Sequence, residues 1–186
     1  MSETIELVLP ALDIPDNVTQ TAAGALKVPG ARVPEKRVSL DVALAQDLIA
    51  HARVAAESAH APHSHFHVGA AVVMADDPSG TIFSAANIEN SSYGVTVCGE
   101  RNALYAAASK GFRRIRYLAV STVDSLGSPL SERSPCGVCR QAIREFTDQD
   151  VSVDKALILI DTKDPDILCE VMDIPRLLPH GFTFAG

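Results

Sequence analysis

The spacing of hydrophobic residues changes along the chain, and each change predicts a different element of secondary structure. Between residues 40 and 59, apolar side chains recur at intervals of three and four, which predicts an amphipathic helix that ends before Pro62. Residues 68–74 are almost uniformly apolar, which predicts a buried strand. The polar cluster at 76–80 predicts a turn and residues 81–88 a returning strand, so the two strands form a hairpin.

Strand and helix patterns alternate through the rest of the chain. The same criteria predict helices at 98–110, 137–146 and 175–178, and strands at 115–123, 155–161 and 167–172. An opening hairpin followed by alternating elements predicts an α/β fold with helices on both faces of a mixed sheet. We therefore expect a three-layer α/β/α sandwich around a mixed five-stranded sheet.

The first 38 residues differ from the rest because no helical or strand period persists in them. Prolines interrupt the segment four times, at Pro10, Pro15, Pro29 and Pro34. We interpret residues 1–38 as an irregular N-terminal extension and residues 39–186 as the catalytic domain. Apolar residues near the start of the extension suggest that part of it packs on the domain or on a neighbouring subunit. Disorder is the alternative.

The charge of the chain bears on its partners and its location. A net charge of −7 argues against a nucleic-acid substrate, because binding to a polyanion depends on a basic surface. The basic cluster at 110–116 is interpreted as a solvated helix end that leads into a strand. No apolar run approaches the roughly 20 residues that cross a bilayer, and residues 1–9 lack the positive charge of a secretory signal. We therefore expect a cytoplasmic protein that binds neither membranes nor nucleic acid.

Three cysteines lie where thiolates are favoured. Cys136 and Cys139 form a C-x-x-C pair at the start of a predicted helix, and Cys98 lies at the start of another. Helix N-termini stabilise thiolates, and in the cytoplasm such cysteines more often bind metal than form disulfides, although redox pairs share the same spacing. Three thiolates leave the fourth position of zinc free for water, whose pKa the metal lowers to about 7. The three cysteines are therefore predicted to hold one catalytic zinc ion.

Two charged residues follow Cys98 closely. Glu100 can line the same pocket and move protons as general base and then general acid, although a carboxylate in a first helical turn also suits the helix dipole. Zn²⁺ with three thiolates carries a charge of −1. Arg101 is expected to offset that charge by donating to the sulfurs.

Two other metal arrangements are open. Cys169 could complete a structural four-cysteine site, but its position in an apolar strand pattern favours a buried free thiol. The alternating residues His63, His65 and His67 would share one face of an extended segment and could bind a second metal ion. A hydrated strand entry is the commoner role for such histidines.

The order of Cys98, Glu100 and the segment Pro135-Cys136-Gly137-Val138-Cys139 matches the signature of zinc deaminases. Segments 64–71, 87–93 and 177–182 are also similar to cytidine deaminases, in the order of that family. The chain therefore resembles the small, three-cysteine cytidine deaminases. This resemblance implies the cytidine deaminase fold, one Zn²⁺ per subunit, and a homotetramer or homodimer with shared active sites. It implies hydrolysis of cytidine, 2′-deoxycytidine or both to the uridine form and ammonia, in pyrimidine salvage.

The resemblance also implies roles in binding a pyrimidine nucleoside. Asn87 and Glu89 would hold a ribose hydroxyl, Phe66 would pack against the nucleoside, and Phe182 would stack on the pyrimidine ring. Three residues are expected to reach the site from a neighbouring subunit, namely Ser91, Tyr93 and Phe182.

Gly99 departs from the family pattern, in which alanine stands between the first cysteine and the glutamate. Its backbone N–H can still face the substrate, and the missing methyl group is expected to enlarge the pocket. The ending at 177–186 also resembles blasticidin S deaminases, so a deaminase of such a modified cytosine nucleoside is the alternative function. The segment Asn87-Ile88-Glu89-Asn90 favours the cytidine deaminase form.

Overall fold

The computed structural model describes residues 3–148 and 154–182. Residues 4–41 form a long two-stranded β-ribbon, so the prediction of an irregular extension is wrong for this stretch. Its six strands are β1 (Thr4–Leu9), β2 (Leu12–Ile14), β3 (Asn17–Thr21), β4 (Gly24–Val28), β5 (Ala31–Val33) and β6 (Lys36–Asp41). They pair antiparallel from the outside inward, β1 with β6, β2 with β5 and β3 with β4.

The four prolines interrupt both strands of the ribbon at the same two places. One interruption contains Pro10 and Pro34, and the other contains Pro15 and Pro29. Each interruption contains two residues on either strand, so the register is the same on both of its sides. The prolines remove backbone donors and thereby interrupt the hydrogen-bond ladder without shifting it. At the second interruption, a Cβ on Gly30 would lie 1.8 Å from a carbonyl oxygen of the opposite strand, so the strands approach closely only because this residue is glycine.

A mixed five-stranded sheet lies at the centre of the fold, as the sequence predicts. Its strands are β7 (Val68–Met74), β8 (Ile82–Ala86), β9 (Ile115–Thr122), β10 (Leu157–Ile160) and β11 (Glu170–Met172). They are arranged in the order β11-β10-β9-β7-β8. Strands β9 and β10 are parallel and the other neighbours are antiparallel.

Helices cover both faces of this sheet, which confirms the three-layer α/β/α fold. They are α1 (Val42–Ala56), α2 (Gly99–Ser109), α3 (Leu130–Arg133), α4 (Gly137–Glu145) and α5 (Ile174–Leu177). The sequence did not predict α3, which lies in a segment rich in Ser and Pro. One face of the sheet packs against α1 and against strands β1 and β6, which form the base of the ribbon. The other face packs against α2, α4 and α5. Among the described residues, no helix combines the length and the apolar character needed to span a membrane.

Arg176 joins the ribbon to the helical layer. Its guanidinium donates hydrogen bonds to the carbonyl oxygens of Leu9, Pro10 and Pro34, at 3.0, 2.8 and 2.7 Å. It also forms an ion pair with Asp173, whose carboxylate lies 2.5 Å away and caps the N-terminus of α5. Both side chains are almost fully buried. The first proline interruption is therefore fixed to α5 by one side chain that bonds to both strands.

Candidate active site

The three predicted ligands meet at the start of two helices. Cys98 is the N-cap of α2 and Cys136 the N-cap of α4, while Cys139 lies one turn into α4. Their sulfur atoms all lie within 4.8 Å of one another, and those of Cys98 and Cys136 are 3.9 Å apart. Residues 38 positions apart in sequence are thus brought together, with the positive ends of two helix dipoles beside them. This donor set fits a tetrahedral zinc ion with one position left for water.

The pKa values of the Cys98 and Cys139 thiols are shifted in opposite directions. The pKa of Cys98 is lowered to about 5, first because Cys139 donates a hydrogen bond to its sulfur and further because Arg101 lies beside it. The pKa of Cys139 is raised, first by the same hydrogen bond and then by burial. At neutral pH the cluster therefore already contains a thiolate, which is the protonation state that a zinc ligand requires.

Glu100 lies in the first turn of α2 and is 3% exposed. Burial raises its pKa to about 7, and the neighbouring charge of Cys98 adds to the effect. Its Oε2 has no hydrogen-bond partner among the described residues, and the side chain lines the cavity beside the cysteines. A carboxyl group with a pKa near neutrality can both accept and donate a proton, as the predicted role requires.

Arg101 lies on the same turn, and its Nη2 donates a hydrogen bond to the carbonyl oxygen of Thr96 at 2.9 Å. This bond holds the guanidinium close enough to Cys98 to lower the pKa of that thiol. The position agrees with the predicted role of Arg101 in offsetting thiolate charge, which stays a prediction.

Asn87 is buried at the end of β8 and bridges two backbone groups that lead into β7. Its Oδ1 accepts from the N–H of Val68 at 2.9 Å, and its Nδ2 donates to the carbonyl oxygen of Phe66 at 2.9 Å. An amide offers two donor hydrogens and two acceptor lone pairs, so half of this capacity stays available. Asn87 and Phe66 both line the cavity, where that capacity can meet a ligand.

Glu89 also lines the cavity, and hydrogen bonds from the loop before β7 hold its carboxylate in place. Its carboxylate accepts hydrogen bonds from the hydroxyl of Ser64 and from the backbone N–H groups of His63 and Ser64. These bonds, the hydroxyl first, lower the pKa of Glu89 to about 2. The group is therefore a fixed carboxylate acceptor at any physiological pH, which suits the predicted contact with a sugar hydroxyl.

The cavity between these groups has a volume of about 330 Å³, which fits a small ligand. Reasoning from the sequence missed part of its lining, which includes Val68, Thr96, Val120, Thr122, Ser131, Glu132 and Ser134. The alternation of faces along β9 could have indicated Val120 and Thr122. No local pattern indicates the residues near α3, because the loop before Cys136 reaches the cavity only in the folded chain.

The three residues expected to act from a neighbouring subunit do not line the cavity of their own chain. Ser91 and Tyr93 lie in an exposed loop, where the ring of Tyr93, which is 74% exposed, packs against the edge of His63. Phe182 is 65% exposed, and its backbone exchanges two hydrogen bonds with the amide of Gln141 on α4. Their predicted role from a neighbouring subunit stays a prediction. Residues 183–186, which contributed to the blasticidin-like ending, lie outside the described residues.

Gly99 faces the sheet and not open space, which contradicts the expectation of a larger pocket. A Cβ at this position would lie 2.8 Å from the carbonyl oxygen of Val68 and 3.2 Å from that of Ala85. Gly99 is also not among the residues that line the cavity. The glycine therefore lets the N-terminus of α2 pack closely on strands β7 and β8.

The alternative metal arrangements are not formed. Cys169 lies apart from the cysteine cluster, beside the hydrophobic cluster under α1, and burial raises its pKa to about 11. Of the histidines, His67 bonds to Asp124 at 2.9 Å, and His65 adopts a left-handed backbone conformation. Within residues 3–148 and 154–182, the three cysteines form the one group that could hold a metal ion.

Comparison with known proteins agrees with this geometry. Residues 43–155 match the family described as the cytidine and deoxycytidylate deaminase zinc-binding region. A cytidine deaminase of Sporosarcina psychrophila is 42% identical over 138 residues, which cover 74% of this chain and 90% of the relative. A blasticidin-S deaminase of Bacillus cereus matches over 43% of this chain and 57% of its own length, at 36% identity.

A solved structure gives the same result for the fold. The crystal structure of cytidine deaminase from Burkholderia pseudomallei has a TM-score of 0.57 and 34% sequence identity. The match covers 73% of this chain and 97% of the other.

Proposed function

This chain belongs to the cytidine and deoxycytidylate deaminase family, and we propose that it hydrolyses cytidine, 2′-deoxycytidine or both to the uridine form and ammonia in the cytoplasm. The observation that carries the proposal is the buried Glu100 beside three converging cysteines, in a cavity that also contains Asn87 and Glu89. The blasticidin S alternative has weaker support, since its match covers less than half of this chain.

The reaction replaces the 4-amino group of the base with oxygen from water. Cys98, Cys136 and Cys139 would hold a zinc ion, and this ion would supply the Lewis acidity that makes water nucleophilic at neutral pH. Glu100 accepts a proton from the water that attacks C4 and delivers it to ring N3. It then takes the proton of the new 4-hydroxyl and passes it to the 4-amino group, so that the C4–N bond breaks, a carbonyl forms at C4 and ammonia leaves. Burial raises the pKa of Glu100 to about 7, so both of its protonation states are accessible near neutral pH before the reaction begins.

The nucleoside is held by Asn87, Glu89 and Phe66, which line the cavity beside the cysteines. Asn87 and Glu89 hold a ribose hydroxyl, because an amide and a fixed carboxylate offer a donor and an acceptor to a group that needs both. Phe66 packs against the nucleoside from the loop before β7. Because these side chains are already fixed by the backbone of the neighbouring segment, little conformational entropy is lost when the nucleoside binds.

We propose that the complete site is shared between copies of the chain in a homotetramer or homodimer. Ser91, Tyr93 and Phe182 lie outside the cavity of their own chain and carry exposed side chains. Cys136 is also exposed in the single chain, so one side of the cavity is open to a neighbour. In the assembly, Phe182 of one copy would stack on the pyrimidine bound by another. Mixing inactive Glu100→Gln chains with inactive Phe182→Ala chains tests this, because mixed oligomers then regain some sites with both residues intact. No recovery of activity would exclude a shared site.

The activity itself is tested with purified chain and a panel of cytidine, 2′-deoxycytidine, cytosine and blasticidin S, followed by the absorbance change on deamination. We expect turnover of one or both simple nucleosides, one zinc per chain by elemental analysis, and loss of activity in Glu100→Gln with zinc retained. Glu57→Gln, which alters an exposed glutamate at the end of α1, is the matched control. Turnover of blasticidin S alone would reverse the order of the two candidate substrates.

A further inference from the structure

Two residues that line the cavity each carry a buried polar atom with no hydrogen-bond partner among the described residues. The atoms are Oε2 of Glu100 and Oγ1 of Thr122. Glu100 takes part in the proposed reaction, but Thr122 has no role in it. Thr122 is 4% exposed, and an unpaired buried hydroxyl destabilises the free protein. The native fold therefore retains an unfavourable group at the wall of the active site.

The sheet register determines which way this hydroxyl faces. Residues of β9 alternate between the two faces of the sheet, so Ser121 lies on the α1 side, where its hydroxyl donates to Asp161 at 2.7 Å. Thr122 lies on the opposite face, the face of Val120, and directly opposite Val68 of β7. All three line the cavity. Thr122 therefore places one hydroxyl in an otherwise apolar stretch of the wall.

We propose that Thr122 is a specificity-determining residue, whose hydroxyl forms a hydrogen bond with a polar group of the bound nucleoside. The proposal rests on the nucleoside deaminase function proposed above. A hydroxyl can donate to a carbonyl oxygen or ring nitrogen of the base, or exchange a hydrogen bond with a hydroxyl of the sugar. A site with a buried polar group discriminates strongly against analogues that leave this group unpaired. The bound nucleoside thus supplies the hydrogen-bond partner that the Thr122 hydroxyl lacks among the described residues.

The test is Thr122→Val, which keeps the shape of the side chain and removes the hydroxyl. We expect kcat/KM for the wild-type substrate to fall about 5- to 30-fold, mainly through KM, as for the loss of one hydrogen bond. We also expect the Tm of the free protein to rise by about 2–4 °C, because the unpaired hydroxyl is gone. A residue with a merely structural role would not lower affinity and raise stability together.

Two variants serve as controls. Thr122→Ser keeps the hydroxyl and should restore most of the affinity that Thr122→Val loses. Ser121→Ala removes the neighbouring hydroxyl on the other face of the sheet, together with its bond to Asp161. It should lower Tm and leave KM within about twofold of the wild type.

Substrate analogues then locate the partner. Comparing cytidine with 2′-deoxycytidine and 5′-deoxycytidine shows whether the penalty of Thr122→Val disappears when one sugar hydroxyl is removed. Loss of the penalty with one analogue assigns the partner to that hydroxyl, and a penalty that persists on both supports a contact elsewhere on the nucleoside. An active wild type with an unchanged KM in Thr122→Val would overturn the proposal alone. A wild type that deaminates no nucleoside of the panel would overturn the proposed function, and the role of Thr122 with it.

Discussion

The central sheet and the tip of the ribbon are built from opposite kinds of strand. Every residue of β7 and β10 is buried between two helical layers, whereas every residue of β3 and β4 is exposed. A strand such as β9 has a neighbour on each side, but the tip of the ribbon has only its own two-stranded ladder. Isolated ladders of this kind are marginally stable in water, so the tip depends on local bonds while the sheet depends on the whole fold.

The base of the ribbon belongs with the sheet. Leu9, Val38 and Leu40 are buried in the same cluster as α1, and Arg176 fixes the first proline interruption to α5. The transition from buried to exposed strand therefore lies within the ribbon and not at residue 38. The division of the chain into an extension at 1–38 and a catalytic domain at 39–186 stays a prediction. In packing terms, the base of the ribbon is part of the catalytic domain.

The largest expected effect concerns the cysteine cluster. Cys139→Ser should lose zinc and reduce kcat/KM by more than about 100-fold, because even residues that only support a metal ligand contribute 10- to 100-fold. Cys169→Ser is the matched control, since that thiol lies apart from the cluster. Zinc content and activity measured on both variants check the prediction. Equal loss of zinc in the two would refute the assignment of the site.

The next effect separates the anchored base of the ribbon from its middle part, strands β2 and β5. Arg176→Ala leaves the buried carboxylate of Asp173 without its partner, so the free energy of unfolding should fall by about 3–5 kcal/mol. Arg32→Ala breaks an exposed pair with Asp13 further along the ribbon, and it should change stability by less than about 1 kcal/mol. Urea unfolding measures both. Similar losses would mean that the two parts of the ribbon are held equally.

A smaller effect is expected at the contact between α2 and the sheet. In Gly99→Ala the new methyl group would meet the carbonyl oxygen of Val68, so the helix must shift away from β7. We expect a loss of about 1–3 kcal/mol in stability, as for other overpacked sites, and a lower kcat because Glu100 moves with the helix. Thermal unfolding and initial rates measure these changes. A gain of about 1 kcal/mol, the helix preference of alanine over glycine, would show that the contact is loose.

The pH dependence of stability tests how strongly hydrogen bonds hold the Glu89 carboxylate in the cavity wall. The pKa of Glu89 falls from 4.5 to about 2 on folding, so its contribution is fully present above pH 4.5 and is lost as pH falls towards 2. The stability advantage of the wild type over Glu89→Gln should therefore be constant from pH 5 to 7 and decline below pH 4.5. Unfolding midpoints across this range measure it. An advantage that persists unchanged at pH 2 would contradict the hydrogen-bonded carboxylate.

The smallest effect is expected at the tip of the ribbon. Replacing residues 17–28 with a two-residue Asn-Gly turn should change Tm by less than about 2 °C and leave kcat/KM within about twofold, because the deleted strands bury no side chain. Sedimentation should show the same number of chains per assembly in the shortened protein as in the wild type. A smaller assembly or a large loss of activity would instead make the tip an interface between subunits.

Local sequence patterns were sufficient for most helices and strands of residues 39–186, although not for α3. The uniform apolar run of β7 matches its predicted bounds, and the helix predicted at 98–110 is observed as Gly99–Ser109. The C-x-x-C spacing indicated a metal site, because two ligands one helical turn apart are fixed by the helix itself. For these elements, the information lies within one or two turns of chain, where the physics of burial and helix capping operates.

The tertiary structure alone decided the features that depend on distant pairing. Local periodicity does not reveal the ribbon, because each strand pairs with a partner at the other end of the segment. The prolines that suggested irregularity fall within the same two interruptions of the paired strands. Gly99 is a second example. The sequence predicted that it enlarges the pocket, but in the folded chain it lies against the backbone of β7. Packing distance is a property of two segments at once, and neither segment encodes it by itself.

The sequence by itself thus determined the chemistry of the site, because thiolates and a carboxylate have the same ligand and proton-transfer properties wherever they occur. Through hydrophobic spacing it also determined the order of the five sheet strands and of every α-helix in residues 39–186 of the described chain except α3. Only the folded chain decided which side of the sheet Thr122 faces and that its buried hydroxyl has no partner among the described residues. Whether a buried polar group is satisfied depends on every atom around it, and this is known only when all layers are in contact.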